Sequence, residues 1–147
     1  EQILGQLGPD PLTDQFQLQG FAKSLENSQR AIKAILLDQQ ILAGVGNIYA
    51  DEALFLAGID PRRRGSDLST REVMKLHEAV RSVLQKGVDH GGTSLSDYVN
   101  ADGEMGRNQE TLLAYGRHGE NCTVCQSVMA KTTVAQRTTS YCSVCQK

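Results

Sequence analysis

The most regular hydrophobic pattern of the chain lies between residues 73 and 88. Apolar side chains recur there mostly every three or four residues, at Val73, Leu76, Val80, Val83, Leu84 and Val88. This spacing places them on one face of an α-helix. Ser69 and Glu72 form a capping box that begins helices, and Gly91-Gly92 ends the pattern. The sequence therefore predicts a long amphipathic helix between Ser69 and Gly91.

Two shorter helices are predicted near the start of the chain, because apolar residues again recur at helical spacing. The first follows Thr13, and the second covers residues 29–38 behind a cap at Asn27-Ser28. Their expected buried positions are Phe16, Phe21, Leu25, Ile32, Ile35 and Leu36. Before them, Gly8-Pro9-Asp10-Pro11 predicts a loop, since proline is excluded from helix interiors.

A third helix is predicted after a loop over residues 39–46. Asn47 is expected to cap its amino end, and Gly58 to end it in a left-handed conformation. Asp51 and Glu52 lie early in this helix, where the helix dipole favours acidic side chains.

The end of the chain has a different pattern, rich in β-branched residues. Runs over residues 128–134 and 138–141 predict a hairpin, with Ala135-Gln136-Arg137 at or near its tip. A polar stretch that includes Asp102-Gly103-Glu104 precedes it and predicts a loop. The predicted fold class is therefore mainly α, with a helical part followed by a small β-hairpin ribbon.

Four cysteines lie within the hairpin region, as two Cys-x-x-Cys pairs separated by sixteen residues. They are Cys122, Cys125, Cys142 and Cys145, and the chain has no other cysteine. Two such pairs supply four thiolates for one closed tetrahedral site, which favours a structural zinc ion. A rubredoxin-like iron site has the same ligands and stays an alternative. A dithiol redox site needs only one pair, and disulfides need an oxidising compartment.

Composition and charge limit the possible functions. No apolar run approaches the roughly 18 residues that a membrane-spanning helix needs. The formal net charge is −2, which by itself disfavours a nucleic-acid partner. The charge is uneven, however: residues 1–60 hold three basic and eight acidic side chains, whereas residues 107–147 hold five basic and two acidic ones. The cysteine-bearing end is therefore locally positive, although solvated surface charge explains this equally well.

Three residues are candidates for binding a polyanion. Asn47 follows Gly46 at a helix amino end, where free backbone N–H groups bind phosphates. Lys33, on the preceding helix, is placed to reach the same phosphate, and Arg137 at the hairpin tip is placed to enter a DNA groove. The competing interpretations are a simple cap, a solvated lysine and an ordinary surface arginine. Arg62-Arg63-Arg64 is expected to be solvated, with at most a weak phosphate role.

Several short motifs together resemble the C-terminal half of bacterial formamidopyrimidine-DNA glycosylase, over essentially the whole chain. They are 7–12 (LGPDPL), 31–33 (AIK), 36–39 (LLDQ), 43–55 (AGVGNIYADEALF), 57–59 (AGI), 91–93 (GGT), 115–117 (YGR), 136–137 (QR) and 141–142 (YC). The resemblance implies a linker over residues 1–12, a helix-two-turn-helix domain over residues 13–106 and a four-cysteine zinc finger over residues 107–147. It also implies that Lys33, Asn47 and Arg137 hold the phosphates that flank an everted damaged nucleotide.

The resemblance further implies a base-excision repair enzyme, a glycosylase and AP lyase that removes oxidised purines such as 8-oxoguanine and formamidopyrimidine. Its nucleophile is an N-terminal proline amine, in a domain absent from this sequence, which begins with Glu1-Gln2-Ile3. No catalytic residue is therefore assigned within the chain. The implied partners are this missing domain and double-stranded DNA with oxidised bases or abasic sites. A monomeric bacterial cytoplasmic protein that binds one zinc ion and no membrane is expected.

One segment departs from the family pattern. Gly106-Arg107-Asn108 stands where the lesion-capping loop usually carries an aromatic pair after its glycine. An endonuclease VIII-like enzyme for oxidised pyrimidines therefore stays an alternative. A second alternative is a non-enzymatic zinc-ribbon module that binds nucleic acid on its own.

Overall fold

The computed structural model describes residues 8–89 and 112–147. The elements are α1 (Leu18–Glu26), α2 (Ile32–Leu37), α3 (Asn47–Ala57), a 3-10 turn (Gly65–Asp67), α4 (Thr70–Asp89), β1 (Ala130–Val134) and β2 (Arg137–Tyr141). We call residues 8–89 the helical segment and residues 112–147 the cysteine segment. The prediction of helices followed by a small hairpin is confirmed at this level. The predicted domain boundary at residues 106 and 107 lies outside the described residues.

One apolar core organises the helical segment, and α3 lies at its centre. This helix packs against α2 and α4 and also against β2, so most of its surface is buried. The core side chains are Phe16, Phe21, Leu25, Ile32, Ile35, Leu36, Leu42, Val45, Ala50, Ala53, Leu54, Ala57, Ile59, Val73, Leu76, Ala79, Val80 and Leu84. They include all six buried positions predicted for the first two helices.

The first two helices are shorter than predicted. α1 begins at Leu18, and Phe16 is buried just before it, where its ring stacks on His77 at a centroid distance of 4.3 Å. α2 begins at Ile32 with no side-chain cap, so the predicted cap at Asn27-Ser28 is wrong. The reason is long-range, because Ala31 forms an isolated antiparallel bridge with Arg64 that holds the chain extended up to the helix.

The ends of α3 and α4 show which capping predictions hold. Gly46 is the N-cap of α3 and Asn47 is its first helical residue, so the predicted cap at Asn47 is wrong. Gly58 ends α3 with a φ of 74°, as predicted. The capping box of α4 is confirmed, since Ser69 and Glu72 exchange backbone-to-side-chain hydrogen bonds of 2.9 and 3.1 Å. The predicted stop at Gly91-Gly92 lies outside the described residues.

The hairpin is tight and its register is defined. β1 and β2 are antiparallel, with Ala130 opposite Tyr141 and Val134 opposite Arg137. Only Ala135 and Gln136 form the turn, both in the left-handed region with φ of 52° and 64°. A two-residue turn of this kind matches the twist of the strands. Arg137 is therefore the first residue of β2, directly beside the tip. No helix within the described ranges is long and apolar enough to cross a membrane.

Candidate nucleic-acid interface and metal centre

The four cysteines predicted as metal ligands come together in the cysteine segment. Their sulfur atoms all lie within 4.8 Å of one another. The Sγ atoms of Cys122 and Cys145 are 3.8 Å apart, and those of Cys125 and Cys142 are 3.4 Å apart. Each pair therefore contributes to one compact tetrad, which is the arrangement that a single metal ion requires.

Hydrogen bonds and burial act on the four sulfurs in opposing ways. The backbone N–H groups of Val124 and Cys145 point at Cys122 Sγ and Cys142 Sγ, at 3.4 and 3.3 Å. Hydrogen bonds from Ser127 lower the pKa of the Cys125 thiol to about 6, whereas burial raises the pKa of the Cys145 thiol to about 12. Four thiolates so close together repel one another. The positive charge of a bound cation offsets this repulsion and thereby favours the deprotonated form of each ligand.

Two adjacent carboxylates of α3 hold the cysteine segment. Glu52 accepts hydrogen bonds from three consecutive backbone N–H groups, at distances of 2.7–2.8 Å, from Leu113, Ala114 and Tyr115. Asp51 accepts one from the backbone N–H of Ser140 in β2, at 3.2 Å. Sequence reasoning placed both carboxylates in the early part of α3 but missed this role. The available signal was a pair of acids within an otherwise apolar helix.

We call the contact region between α2, the first part of α3 and β2 the junction; it includes Lys33, Asn47, Asp51 and residues 137–140. Lys33 is fully buried there, with 0% of its surface exposed. Its Nζ forms an ion pair with Asp51 Oδ1 at 2.7 Å. It also donates to Thr139 Oγ1 at 2.7 Å and to the Thr138 carbonyl at 3.2 Å. The structure places the Lys33 ammonium against one carboxylate and two oxygens of β2, whereas its predicted contact with a DNA phosphate stays a prediction.

Burial changes the proton affinities of this ion pair in opposite directions. Desolvation lowers the pKa of the Lys33 ammonium, and the Asp51 carboxylate offsets part of that change. Desolvation likewise raises the pKa of the Asp51 carboxyl to about 6, against the opposing effect of Lys33. Both shifts have the same cause, which is that β2 and the helices exclude water from two charged groups.

Asn47 and Arg137 complete the junction on its exposed side. Asn47 Nδ2 donates to the Thr138 carbonyl at 3.2 Å, so Lys33 and Asn47 share one acceptor. The Oδ1 atom of Asn47 is buried without a hydrogen-bond partner among the described residues. Arg137, next to that carbonyl in sequence, is exposed and has no ion-pair partner in residues 8–89 or 112–147. The structure thus brings all three predicted residues together, but only Asn47 and Arg137 lie at the surface.

The arginine run has more contacts than predicted. Arg62 donates to Asp60 and lies over the Tyr141 ring, 4.9 Å from its centroid. Arg63 forms an ion pair with Glu72 and donates to the Lys147 carbonyl. These contacts join the loop after α3 to the cysteine segment, so the run is partly structural.

The comparison with known families identifies the helical fold. Residues 7–99 match the family model described as the formamidopyrimidine-DNA glycosylase H2TH domain. This chain belongs to the formamidopyrimidine-DNA glycosylase H2TH family. The predicted helix-two-turn-helix unit is thereby confirmed. The matched residues include Lys33, Asn47 and Asp51, whereas β2 with Arg137 lies outside them.

Curated relatives agree with the H2TH assignment. A formamidopyrimidine-DNA glycosylase of Herpetosiphon aurantiacus is 50% identical over 140 residues, which are 95% of this chain and 51% of the relative. One of Halalkalibacterium halodurans is 47% identical over 147 residues, which are 100% of this chain and 54% of the relative. The chain therefore spans about half the length of the curated relatives it matches.

Solved structures from the H2TH family share the fold. The MutM (Fpg) protein of Thermus thermophilus has a TM-score of 0.88 and 44% identity, covering 97% of this chain and 55% of that one. Lactococcus lactis formamidopyrimidine-DNA glycosylase bound to DNA with an AP site has a TM-score of 0.87 and 36% identity, covering 99% and 52%. The same enzyme bound to DNA with an oxidised pyrimidine has a TM-score of 0.87 and 37% identity, covering 99% and 52%.

Proposed function

We propose that this chain is the DNA-binding half of a base-excision repair enzyme, a glycosylase and AP lyase that removes oxidised purines from DNA. The observation that carries the proposal is the junction at the amino end of α3. There Asn47, within the residues that match the H2TH family, donates to the carbonyl of Thr138, the residue after the exposed Arg137. The relatives named formamidopyrimidine-DNA glycosylase and the DNA complexes of the Lactococcus lactis enzyme support it.

The proposed contacts are to the DNA backbone. The first backbone N–H groups of α3 have no partner within the helix, and the helix dipole adds partial positive charge there. Asn47 is the first residue of α3, and Arg137 precedes the residue whose carbonyl Asn47 contacts. Asn47 Nδ2 and the Arg137 guanidinium would donate to phosphate oxygens. Such contacts carry no base information, so lesion choice is assigned to other parts of the protein. We therefore assign backbone grip to Asn47 and Arg137, and an indirect role to Lys33.

We propose that the cysteine tetrad holds one structural zinc ion. A tetrahedral site with Zn–S bonds of about 2.3 Å has sulfur–sulfur separations of about 3.8 Å. The paired sulfurs here are 3.4 and 3.8 Å apart, which fits this size. Four thiolates leave no open position, so the zinc ion would fix the cysteine segment and take no part in the reaction. Iron would accept the same ligands, and metal analysis of purified protein distinguishes the two.

The bond-breaking chemistry is proposed for the other half of the full-length protein. The resemblance implies a proline amine there, which would attack the sugar carbon of the damaged nucleotide and form a Schiff base. The 147-residue chain alone is then expected to give no strand scission at an abasic site. Borohydride trapping of a covalent complex by this chain, at a rate like that of a full-length enzyme, would contradict the division of labour.

Oxidised pyrimidines are a second candidate substrate class. One solved relative in this family is described in complex with DNA that contains an oxidised pyrimidine. The segment Gly106-Arg107-Asn108, on which the sequence argument for this alternative depends, lies outside the described residues. Excision assays on duplexes with 8-oxoguanine and with an oxidised pyrimidine, using full-length protein, decide between the two classes.

The DNA-binding proposal is tested with Arg137→Ala in the full-length protein. Removing a desolvated arginine–phosphate contact should weaken binding to lesion and undamaged duplexes alike, by about 1–3 kcal/mol. The plot of log affinity against log salt should become less steep by about one charge. Lys23→Ala, an exposed residue of α1 remote from the hairpin, removes the same charge as a control. An unchanged salt slope for Arg137→Ala would exclude this phosphate contact.

A further inference from the structure

The buried ion pair between Lys33 and Asp51 lies between the helical segment and the hairpin. Lys33 Nζ and Asp51 Oδ1 are 2.7 Å apart, and the two side chains are 0% and 1% exposed. Burying two charges costs free energy, and one pair recovers that cost only when its geometry is good and further hydrogen bonds satisfy both partners. Here those further bonds all lead to β2, at Thr138, Thr139 and Ser140.

The same three residues of β2 directly follow Arg137. The Thr138 carbonyl accepts from Lys33 on one side and from Asn47 on the other, each at 3.2 Å. The turn before Arg137 consists of two non-glycine residues in the left-handed region, Ala135 and Gln136. Few other backbone conformations are open to such residues there, so the turn can adjust little when β2 moves. The Thr138 carbonyl therefore connects the backbone next to Arg137 with both Asn47 and Lys33.

We propose that the Lys33–Asp51 pair is a positioning element, which seats β2 on α3 so that Arg137 and Asn47 grip one stretch of DNA backbone. The inference rests on the proposed DNA-binding function. Lys33 contributes no phosphate contact of its own, because its ammonium is fully buried against Asp51 and two oxygens of β2. Asp51 contributes through the Lys33 ammonium and through the backbone N–H of Ser140.

A more exposed ion pair on the helical segment, Arg30–Asp38, shows what the buried pair adds. Arg30 and Asp38 are 2.9 Å apart, but their side chains are 52% and 25% exposed and neither contacts the hairpin among the described hydrogen bonds. An exposed pair of this kind contributes little to stability. Arg30→Met therefore serves as a matched control, since it breaks an ion pair and removes one charge without disturbing β2.

The experiment is a double-mutant cycle in the full-length, metal-loaded protein, with a duplex that contains an abasic-site analogue. The variants are Lys33→Met, Arg137→Ala and their combination. We expect Lys33→Met to lose part of the roughly 5- to 150-fold affinity that Arg137→Ala loses. In the Arg137→Ala background the same substitution should cost little more, since the residue that it positions is already gone. The combined variant should lower the salt slope by about one charge.

A direct phosphate contact from Lys33 predicts the opposite pattern. The two losses would then multiply, and the combined variant would lower the salt slope by about two charges. That result would overturn the proposal. Arg30→Met should leave the affinity nearly unchanged, and an effect as large as that of Lys33→Met would show that any charge on this face matters.

A second variant controls for loss of affinity that is caused by misfolding alone. Lys33→Met leaves the Asp51 carboxylate buried without its partner, which is strongly destabilising. Lys33→Met combined with Asp51→Asn removes both charges, and the asparagine oxygen can still accept the Ser140 N–H. This neutral pair should fold and bind metal, and should still show the non-additive loss with Arg137→Ala.

Hydrogen exchange at the Ser140 amide tests the seating of β2 without DNA. Lys33→Met should accelerate this exchange relative to the amides of α4, while the metal content stays at one ion per chain. Unchanged exchange at Ser140 would overturn the positioning role even if affinity fell. Failure of the wild-type protein to bind any duplex would instead refute the proposed function, so the two failures are distinguishable.

Discussion

The helical segment and the cysteine segment are held together by different means. The first has a continuous core of apolar side chains contributed by all four of its helices. The second has two small clusters, to which α3 contributes Phe55 and Ile48. The first cluster is Phe55, Ala114, Cys122, Met129 and Cys142, of which two are cysteines, and the second is Ile48 and Leu112. The cysteine segment is too small to fold by apolar burial alone. It is held by the polar groups of α3 and, under the proposed function, by a metal ion on its four cysteines.

Removal of the metal should have the largest effect, and it should affect the stability of the two segments differently. A structural zinc site contributes about 10–16 kcal/mol of apparent binding free energy in small metal-dependent domains. Chelation should therefore unfold residues after about 118 while the helical segment keeps its structure. Amide hydrogen exchange followed with and without chelator measures both segments in one experiment.

Two cysteine-segment variants provide the matched control for metal removal. Cys142→Ser removes a ligand and should reproduce the effect of the chelator, whereas Ser143→Ala, at the next and exposed position, should retain one metal ion per chain. If the helical segment unfolded together with the ribbon on chelation, the contrast between the two stabilising mechanisms would be wrong.

A substitution within the apolar core should act on the helical segment in the conventional way. Leu54 of α3 is 0% exposed, so Leu54→Ala should lower the free energy of unfolding by about 2–5 kcal/mol through lost burial and a residual cavity. Leu56, two residues along the same helix, is 52% exposed, and Leu56→Ala should change stability by about 0.5 kcal/mol or less. Denaturant unfolding of the metal-loaded protein measures both, and equal losses would show that α3 is not the centre of the core.

The pKa values of Asp51 and Asp38 should show how a carboxyl buried at the junction differs from one near the surface. Burial raises the pKa of Asp51 to about 6, with Lys33 opposing and Glu52 reinforcing the change, whereas the hydrogen bond from Arg30 lowers the pKa of the partly exposed Asp38. The folded protein thus binds the Asp51 proton more tightly than the unfolded chain does. Its contribution to stability is therefore complete at low pH and falls as the pH rises from about 4 to about 6.

Asp38 should behave in the opposite way. Its contribution is present above the ordinary carboxyl pKa and is lost as the pH falls through the lowered value. Carboxyl carbon NMR of the metal-loaded protein measures both midpoints directly. An Asp51 midpoint at or below that of Asp38 would show that water reaches the buried pair.

Local patterns predicted the regular elements well and the junction poorly. The capping box at Ser69, the left-handed end at Gly58 and the clustering of the four cysteines all depend on residues close in sequence, which a single chain displays directly. Asn47 was predicted to cap α3, but its side-chain amide donates to a carbonyl 91 residues away. No local rule includes that competing partner.

Lys33 shows the same limit more clearly. Among its neighbours in sequence, nothing indicates a carboxylate partner, because Asp51 lies on the next helix. Lys33 and Asp51 each stand within an apolar helix that buries most of its residues. A charge at such a position is a signal of a buried pair, although only the packing of α2 against α3 identifies the two partners.

The seating of β2 on α3 also has a consequence for the order in which the chain folds. The contacts from Lys33 to Thr139 and from Glu52 to Ala114 span 106 and 62 residues. During synthesis the helices emerge first, so the Lys33 and Asp51 charges remain hydrated until the last strand arrives. Their dehydration belongs to the final docking step, which waits for the slow closure of long loops. A chain that has not finished this step therefore lacks an aligned Arg137, and the nascent protein acquires its arrangement at the junction last.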